Sequence, residues 1–377
     1  MAAQGAVLLK NGDAVLPLTA DDHVAVFGRC QKDYYRSGTG SGGAVNVLYT
    51  TNLVDGLRDN GITVNEALSA SYETWISSHP FDNGEGGWAC EPWCQLEMPV
   101  TQTLVATAAA DSNKAVVVIG RTAGEDRDNA ATEGSYYLTS TEKEMLHNVY
   151  SHFKNVIVVL NVSNIIDMNF MQDSNHIKAV VYAWQGGMEG GNGTADVLTG
   201  KEVFQGKLTD TIAKKITDYP ADKNHGGKEK NVYQEDIYVG YRYFETFARD
   251  TVLYPFGYGL SYTEFSISDS GISRYKNAYV LEAGTYRFHA GANVRNRGRT
   301  DKRHSQLAAG KYTSARTVVC KAVLNGEELV TFQTNGTNGR WNLQKLLRVR
   351  LEEGCNQITL QLPKPGMEID FTAFQKC

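Results

Sequence analysis

The stretch VVVIGRTAGEDRD, residues Val116–Asp128, decides the fold. Four apolar residues end in Gly120, and Arg121, Glu125, Asp126, Arg127 and Asp128 follow at once. A parallel strand buried on both faces is apolar throughout. Where its C-terminal end opens into a polar loop, it offers the usual ligand position of an open α/β sheet. Working outward, Ala115–Gly120 is one of several such strands: His23–Phe27 closed by Gly28, Val156–Leu160 and Ala179–Ala183 share the pattern.

Helical stretches lie between these strands. Thr51–Asn60 carries Leu53, Val54 and Leu57 on one face, with Gly61 in the position of a C-cap glycine. Thr139–Phe153 opens with Thr141 and Glu144 in capping-box spacing. A further helix follows the glycines of Gly186–Gly193 and ends at Val197–Leu198. Together these predict an α/β domain over residues 1–218, with a mostly parallel sheet covered by helices on both faces. Residues 219–265 are rich in Tyr, Gly and Phe and read as an ordered segment wrapping a surface. From residue 266 to 377 the pattern becomes β-like: Ala278–Gly291, Arg316–Leu324, Glu328–Gln333, Leu346–Leu351 and Gln357–Leu362, with turns at Gly284, Asn325-Gly326 and Gly354. A small all-β module is expected there.

The 377 residues suffice for two or three domains, and 42% hydrophobic with 21% charged residues is an ordinary globular composition. A net charge of −5 gives no footprint for nucleic acid, and the basic run Arg295–Arg303 reads as a solvated loop. No window reaches the ~18 apolar residues of a membrane span, and no signal peptide is legible in the opening residues. The six cysteines are scattered, and Cys90 and Cys94, the one close pair, lack the second pair or histidines of a zinc site. Reduced thiols, a cytoplasmic location and no metal or cofactor are the expectations.

Three loops fall at the C-terminal ends of predicted strands. Arg36–Asn46 is glycine-rich and carries Ser37, Thr39 and Ser41. It lacks both the P-loop ending and the dinucleotide glycine order, which leaves a close-packed turn or an approach to sugar hydroxyls. The loop after Arg121 holds Glu125 among other charges. Either its carboxylates have pKa values pushed apart for general acid/base work, or it is a surface ion-pair cluster. In Trp184–Gly191 the glycines let the chain bend before a helix, and Trp184 either lies beneath a ligand or packs in the core. No Gly-x-Ser-x-Gly elbow is present.

Longer motifs add to this reading. Gly5–Asn11 with Leu16–Leu18, Val116–Arg127, Val158–Asn161 with Ile166-Asp167, and Trp184–Gly191 with Ala195–Gly200 and Gly206–Leu208 follow in order. Tyr233–Phe247 and Tyr254–Tyr262 complete the set. Over roughly residues 4–265 the chain resembles the α/β-sandwich domain of family 3 glycoside hydrolases, the β-glucosidase group. The resemblance implies a retaining mechanism on β-linked glucosides with two carboxylates. An aspartate of a separate (β/α)8 barrel is the nucleophile, and a glutamate of the sandwich domain, which maps to Glu125, is the acid/base. Arg127 then holds the loop in shape, and Arg121, Ser37, Thr39, Ser41 and Trp184 are candidates for substrate contact.

No barrel is legible, so the resemblance implies that the nucleophile comes from elsewhere: from a barrel-bearing partner chain, or from a barrel that follows the sandwich, an order the start at Gly5–Asn11 fits. Tyr279–Tyr286 looks like the stretch that follows the family's immunoglobulin-like domain, itself mostly missing after Tyr262, and Val323–Gly326, Gly339–Trp341, Leu351–Ile358 and Ile369-Asp370 resemble the closing half of a carbohydrate-binding β-module. Trp341 there is a sugar platform or a core residue. A non-catalytic carbohydrate-binding or regulatory protein is the competing expectation.

Overall fold

The structure is a computed structural model describing residues 1–268, apart from 44, 173 and 228, and beyond them the backbone of further strand segments. It divides into two compact units, Met1–Leu260 and Ser261–Cys377. The first unit runs α1 (Ala2–Gly5), β1 (Val7–Asn11), β2 (His23–Phe27), α2 (Leu53–Asp59), β3 (Thr63–Val64), α3 (Glu66–Ser78) and α4 (Gln102–Ala110). It continues β4 (Lys114–Arg121), α5 (Ser140–His152), β5 (Val156–Val162), β6 (Ile177–Tyr182), α6 (Gly190–Leu198), β7 (Ile212–Ala213), α7 (Tyr241–Phe247) and β8 (Val252–Tyr254).

Six strands form one sheet in the order β1-β6-β5-β4-β2-β3. All neighbours are parallel except β1, which runs antiparallel to β6. Alternate residues of β4 point to opposite faces. Ala115, Val117 and Ile119 join a core shared with Leu68 and Tyr72 of α3, Val105 of α4 and Met145 of α5. Val116 and Val118 are just as buried. Each such side chain contributes about 1.5–3 kcal/mol of burial, so a strand with two apolar faces has its place in the sheet centre fixed. Helices α1, α2 and α6 form a second packed group. The glycines in the first turn of α6 serve this packing: a Cβ on Gly191 would lie 2.3 Å from the Asn52 carbonyl carbon.

The helix starts follow side-chain caps. Asn52, Asn65 and Thr101 accept from the amides of Asp55, Leu68 and Leu104. The capping box of α5 is made by Thr139 and Glu142, two residues before the expected Thr141 and Glu144. Helices α3 and α4 were not legible as helical periods. Within the aromatic segment, α7 and β8 are regular elements, and β8 pairs antiparallel with β7. The segment closes against β1: the Leu260 amide donates to the Leu8 carbonyl, and the Tyr258 hydroxyl to that of Leu9.

In the second unit, β9 (Thr263–Ser268), β10 (Ile272–Ser273), β11 (Arg287–Asn296), β12 (His304–Ser305), β13 (Val318–Leu324), β14 (Glu327–Thr334), β15 (Val349–Arg350) and β16 (Gly354–Leu362) are all antiparallel where paired. The main sheet has the order β10-β11-β16-β13-β14. Gly354, expected in a turn, is the first residue of β16. The turns at Gly284 and Asn325-Gly326, the basic run beyond Asn296, and Trp341 lie outside the described residues. No helix among the described residues is long and apolar enough to cross a membrane.

Candidate active site

The chain leaves β2 to build β3 on one side, then crosses to build β4 on the other. The C-terminal ends of β2 and β4 therefore flank a topological switch point, where successive loops diverge and leave a crevice. Both candidate loops start there. Gly28 ends β2 at φ +92, and a Cβ at this position would lie 2.1 Å from the Val118 carbonyl oxygen.

The glycine-rich loop meets the Glu125 loop directly. Thr39 N donates to the Ala123 carbonyl at 3.1 Å, and Ser41 N donates to Glu125 Oε2 at 3.0 Å. A Cβ on Gly38 would approach the Ala123 oxygen to 2.4 Å, and one on Gly40, at φ +77, would approach Glu125 Cβ to 2.5 Å. The glycines thus serve loop-to-loop contact. Glu125 itself is exposed, and hydrogen bonds from the Ser41 hydroxyl and amide hold its carboxyl below the usual range.

A cleft of about 670 Å³ opens between the Ser37–Gly43 loop and the segment around Phe81–Glu91, and Ser37 and Thr39 form part of its wall. The Thr39 hydroxyl is buried and has no hydrogen-bond partner, so Thr39 acts in the loop contact through its backbone. Arg121 is turned away from this cleft. Its side chain is 1% exposed and makes a bidentate pair with Glu142, 2.6 Å to each oxygen. It also donates to the carbonyls of Gly120, Ser135 and Tyr137. Every face of the guanidinium is satisfied by protein, which makes Arg121 a support of the Glu125 loop rather than a free sugar contact. Trp184, at φ 56, tilts onto Tyr182 with ring centroids 4.4 Å apart and packs against the sheet core.

The sequence assigns no role to several residues at the site. Asn161, fully buried at the end of β5, accepts from Tyr35 N and donates to the carbonyls of Tyr35 and Trp184, tying two site loops together. Trp93 carries Arg127 stacked 4.3 Å over its ring, and its indole N–H donates to the Asp128 carbonyl. Glu91 lies in the cleft wall, and burial pushes its carboxyl up to about 7 against the pull of Arg36, with Asp82 adding to the rise. The carboxyl of Glu91, in the cleft wall, and that of Glu125, on the loop bonded to Ser41, thus have pKa values driven in opposite directions. A tryptophan pair within the glycine-rich Gly84–Cys94 stretch was the available hint. Among the described residues, no three His, Cys, Asp or Glu side chains gather as a metal site.

The model of the glycosyl hydrolase family 3 C-terminal domain matches residues 6–241. The chain belongs to glycoside hydrolase family 3. A β-glucosidase of Ruminococcus albus is 54% identical over 269 residues, which are 71% of this chain and 28% of that protein. The crystal structure of a β-glucosidase from Paenibacillus barengoltzii superposes with a TM-score of 0.74 at 47% identity, over 96% of this chain and 37% of that one. β-Glucosidase 3B of Thermotoga neapolitana gives a TM-score of 0.69 at 29% identity, over 96% of this chain and 47% of that one. This family 3 chain therefore spans between about a quarter and a half of the length of these three relatives.

Beneath the site, Glu97 accepts from the amides of Arg29, at 2.8 and 3.1 Å, and of Met98, at 2.8 Å. Those bonds favour the ionised form, but burial outweighs them and pushes its pKa up to about 8. The folded state then holds a proton that the unfolded chain has released, so stability falls as pH rises from the ordinary carboxylate range toward 8. The steepest slope is about 1.4 kcal/mol per pH unit. Urea unfolding between pH 5 and 8 should show this decline, and Glu97→Gln should flatten it.

Proposed function

We propose that this chain supplies the proton donor of a β-glucosidase-type site, with Glu125 as acid/base for a β-linked glucoside. The observation that carries the reading is the junction of the two switch-point loops, which fixes an exposed carboxylate against the Ser37–Gly43 loop of the cleft wall. The relatives' names support the substrate class. By resemblance to the family, we assign the nucleophilic carboxylate of a retaining mechanism to a barrel domain outside these residues. Withholding one carboxylate removes most of the ~10⁶-fold or larger acceleration of an enzyme.

The test is turnover of an aryl β-glucoside. The isolated chain should be weak or inactive, and activity should appear when the remaining part of a relative is supplied. Brisk turnover by the chain alone, abolished in Glu125→Gln, overturns the incompleteness. Turnover lost in Glu91→Gln but kept in Glu125→Gln moves the proton donor to Glu91, the reading its raised pKa favours. Saturable sugar binding with no turnover in any assembly points to a carbohydrate-binding protein instead.

A further inference from the structure

Arg29 follows Gly28 at the end of β2, and only 1% of it is exposed. A guanidinium is held out of water only where protein partners replace its hydration. Here the partners belong to both walls of the cleft. Toward the first wall, Nε donates to Asp33 Oδ2 at 2.8 Å, and Asp33 lines the cleft. Toward the second, Nη2 donates to the His79 carbonyl at 2.7 Å and Nη1 to the Leu96 carbonyl at 3.0 Å. His79 and Leu96 bracket the Phe81–Glu91 segment, so one side chain closes the neck of that whole excursion. A second rung lies just inside it: the Asp82 amide donates to Gln95 Oε1 at 2.7 Å, and Gln95 Nε2 donates to the Asp82 carbonyl at 2.9 Å. A loop with its ends tied together is a compact body.

Both walls grip the loop that carries Glu125. From the second, the indole N–H groups of Trp88 and Trp93 donate to Asp126 Oδ2 at 2.8 Å and to the Asp128 carbonyl at 3.0 Å. From the first, the amides of Thr39 and Ser41 donate to the Ala123 carbonyl and to Glu125 itself. We propose that Arg29 is a positioning residue: by tying the two walls together, it fixes where the proton donor stands. This role rests on Glu125 being that donor. Arg29 does not line the cleft, so it acts through these bonds and touches no ligand. The leverage is large, since a misplacement of about 1 Å at a reacting group costs about 10²-fold in rate.

The test compares the full chain with Arg29→Lys, in which one ammonium cannot meet three partners as the planar fork does. Asp33→Asn is the milder variant, weakening the tie to the first wall alone. Nuclear magnetic resonance follows the Trp88 and Trp93 indole N–H signals and the titration of the Glu125 carboxyl. In Arg29→Lys both indole signals should move toward those of a free indole. Glu125, held below the usual carboxylate range by Ser41, should rise toward it. Asp33→Asn should raise Glu125 with a smaller change at the indoles, and it decides the matter if Arg29→Lys does not fold. In an assembly that turns over, Arg29→Lys should lower kcat about 10–100-fold for an alkyl β-glucoside, with KM nearly unchanged. A dinitrophenyl glucoside, which leaves unprotonated, should be spared, whereas a purely structural role would slow both substrates alike. Unmoved indole and Glu125 signals in the folded variants, or equal losses for the two substrates, overturn the proposal. If Glu125 is not the donor, turnover survives Glu125→Gln while the indole signals still answer to Arg29→Lys.

Discussion

Replacing Arg121 by alanine is expected to destabilise the α/β unit by about 3–5 kcal/mol, the cost of breaking a buried ion pair from one side. Glu142 would keep the Thr139 amide as a partner but lose both guanidinium bonds while its side chain stays 5% exposed. The carbonyls of Ser135 and Tyr137 would lose their donor as well. Arg121→Lys should recover little, because an ammonium cannot reproduce the paired geometry toward the carboxylate. The double change Arg121→Met with Glu142→Leu should recover the part of the loss owed to the stranded carboxylate, since apolar groups replace buried charges at little net cost, but not the bonds to the Ser135 and Tyr137 carbonyls and the Thr139 amide. Urea unfolding followed by tryptophan fluorescence measures this, and Trp75, Trp88, Trp93 and Trp184 all lie in the first unit. A variant as stable as the wild type, with impaired sugar binding, would return Arg121 to the substrate contacts that its sequence position suggests.

The same pair explains where sequence reading succeeded and where it stopped. The strands were legible because Val116–Ile119 and Val156–Leu160 are apolar without interruption, a pattern that a sheet buried on both faces demands. The α5 cap was misplaced because Thr139-Ser140-Thr141 with Glu142 and Glu144 satisfies the capping-box spacing in two registers. Glu142 is chosen by its second partner, Arg121, from a strand 21 residues away. The role of Arg121 was hidden for the same reason: a charge after a strand looks solvent-facing until its partner is placed. Phe81–Glu91 has neither helical nor strand period, so its place along the cleft could not be read. Glu125 itself came from the family motif. Its Ser41 contact spans 84 residues, and its lowered pKa belongs to that contact.

That lowered pKa bears directly on the other large effect expected. A general acid must hold its proton at the working pH, and Glu125 in the chain as it stands is held in the ionised form by the Ser41 hydroxyl and amide. Closing the site against water disfavours the charged carboxylate and drives its pKa upward. Nuclear magnetic resonance titration should therefore find Glu125 below the ordinary carboxylate value in the isolated chain, higher in Ser41→Ala, and higher again in an assembly that turns over. In such an assembly Glu125→Gln should lower kcat by about 10²–10⁴ for a leaving group of high pKa, the usual share of a positioned proton donor. A dinitrophenyl glucoside departs without protonation, so its first step should be far less affected. The alkaline limb of the pH–rate profile, which reports loss of the donor's proton, should disappear with the carboxyl. If the leaving group makes no difference to the size of the effect, Glu125 is not the proton donor, whatever its place in the motif.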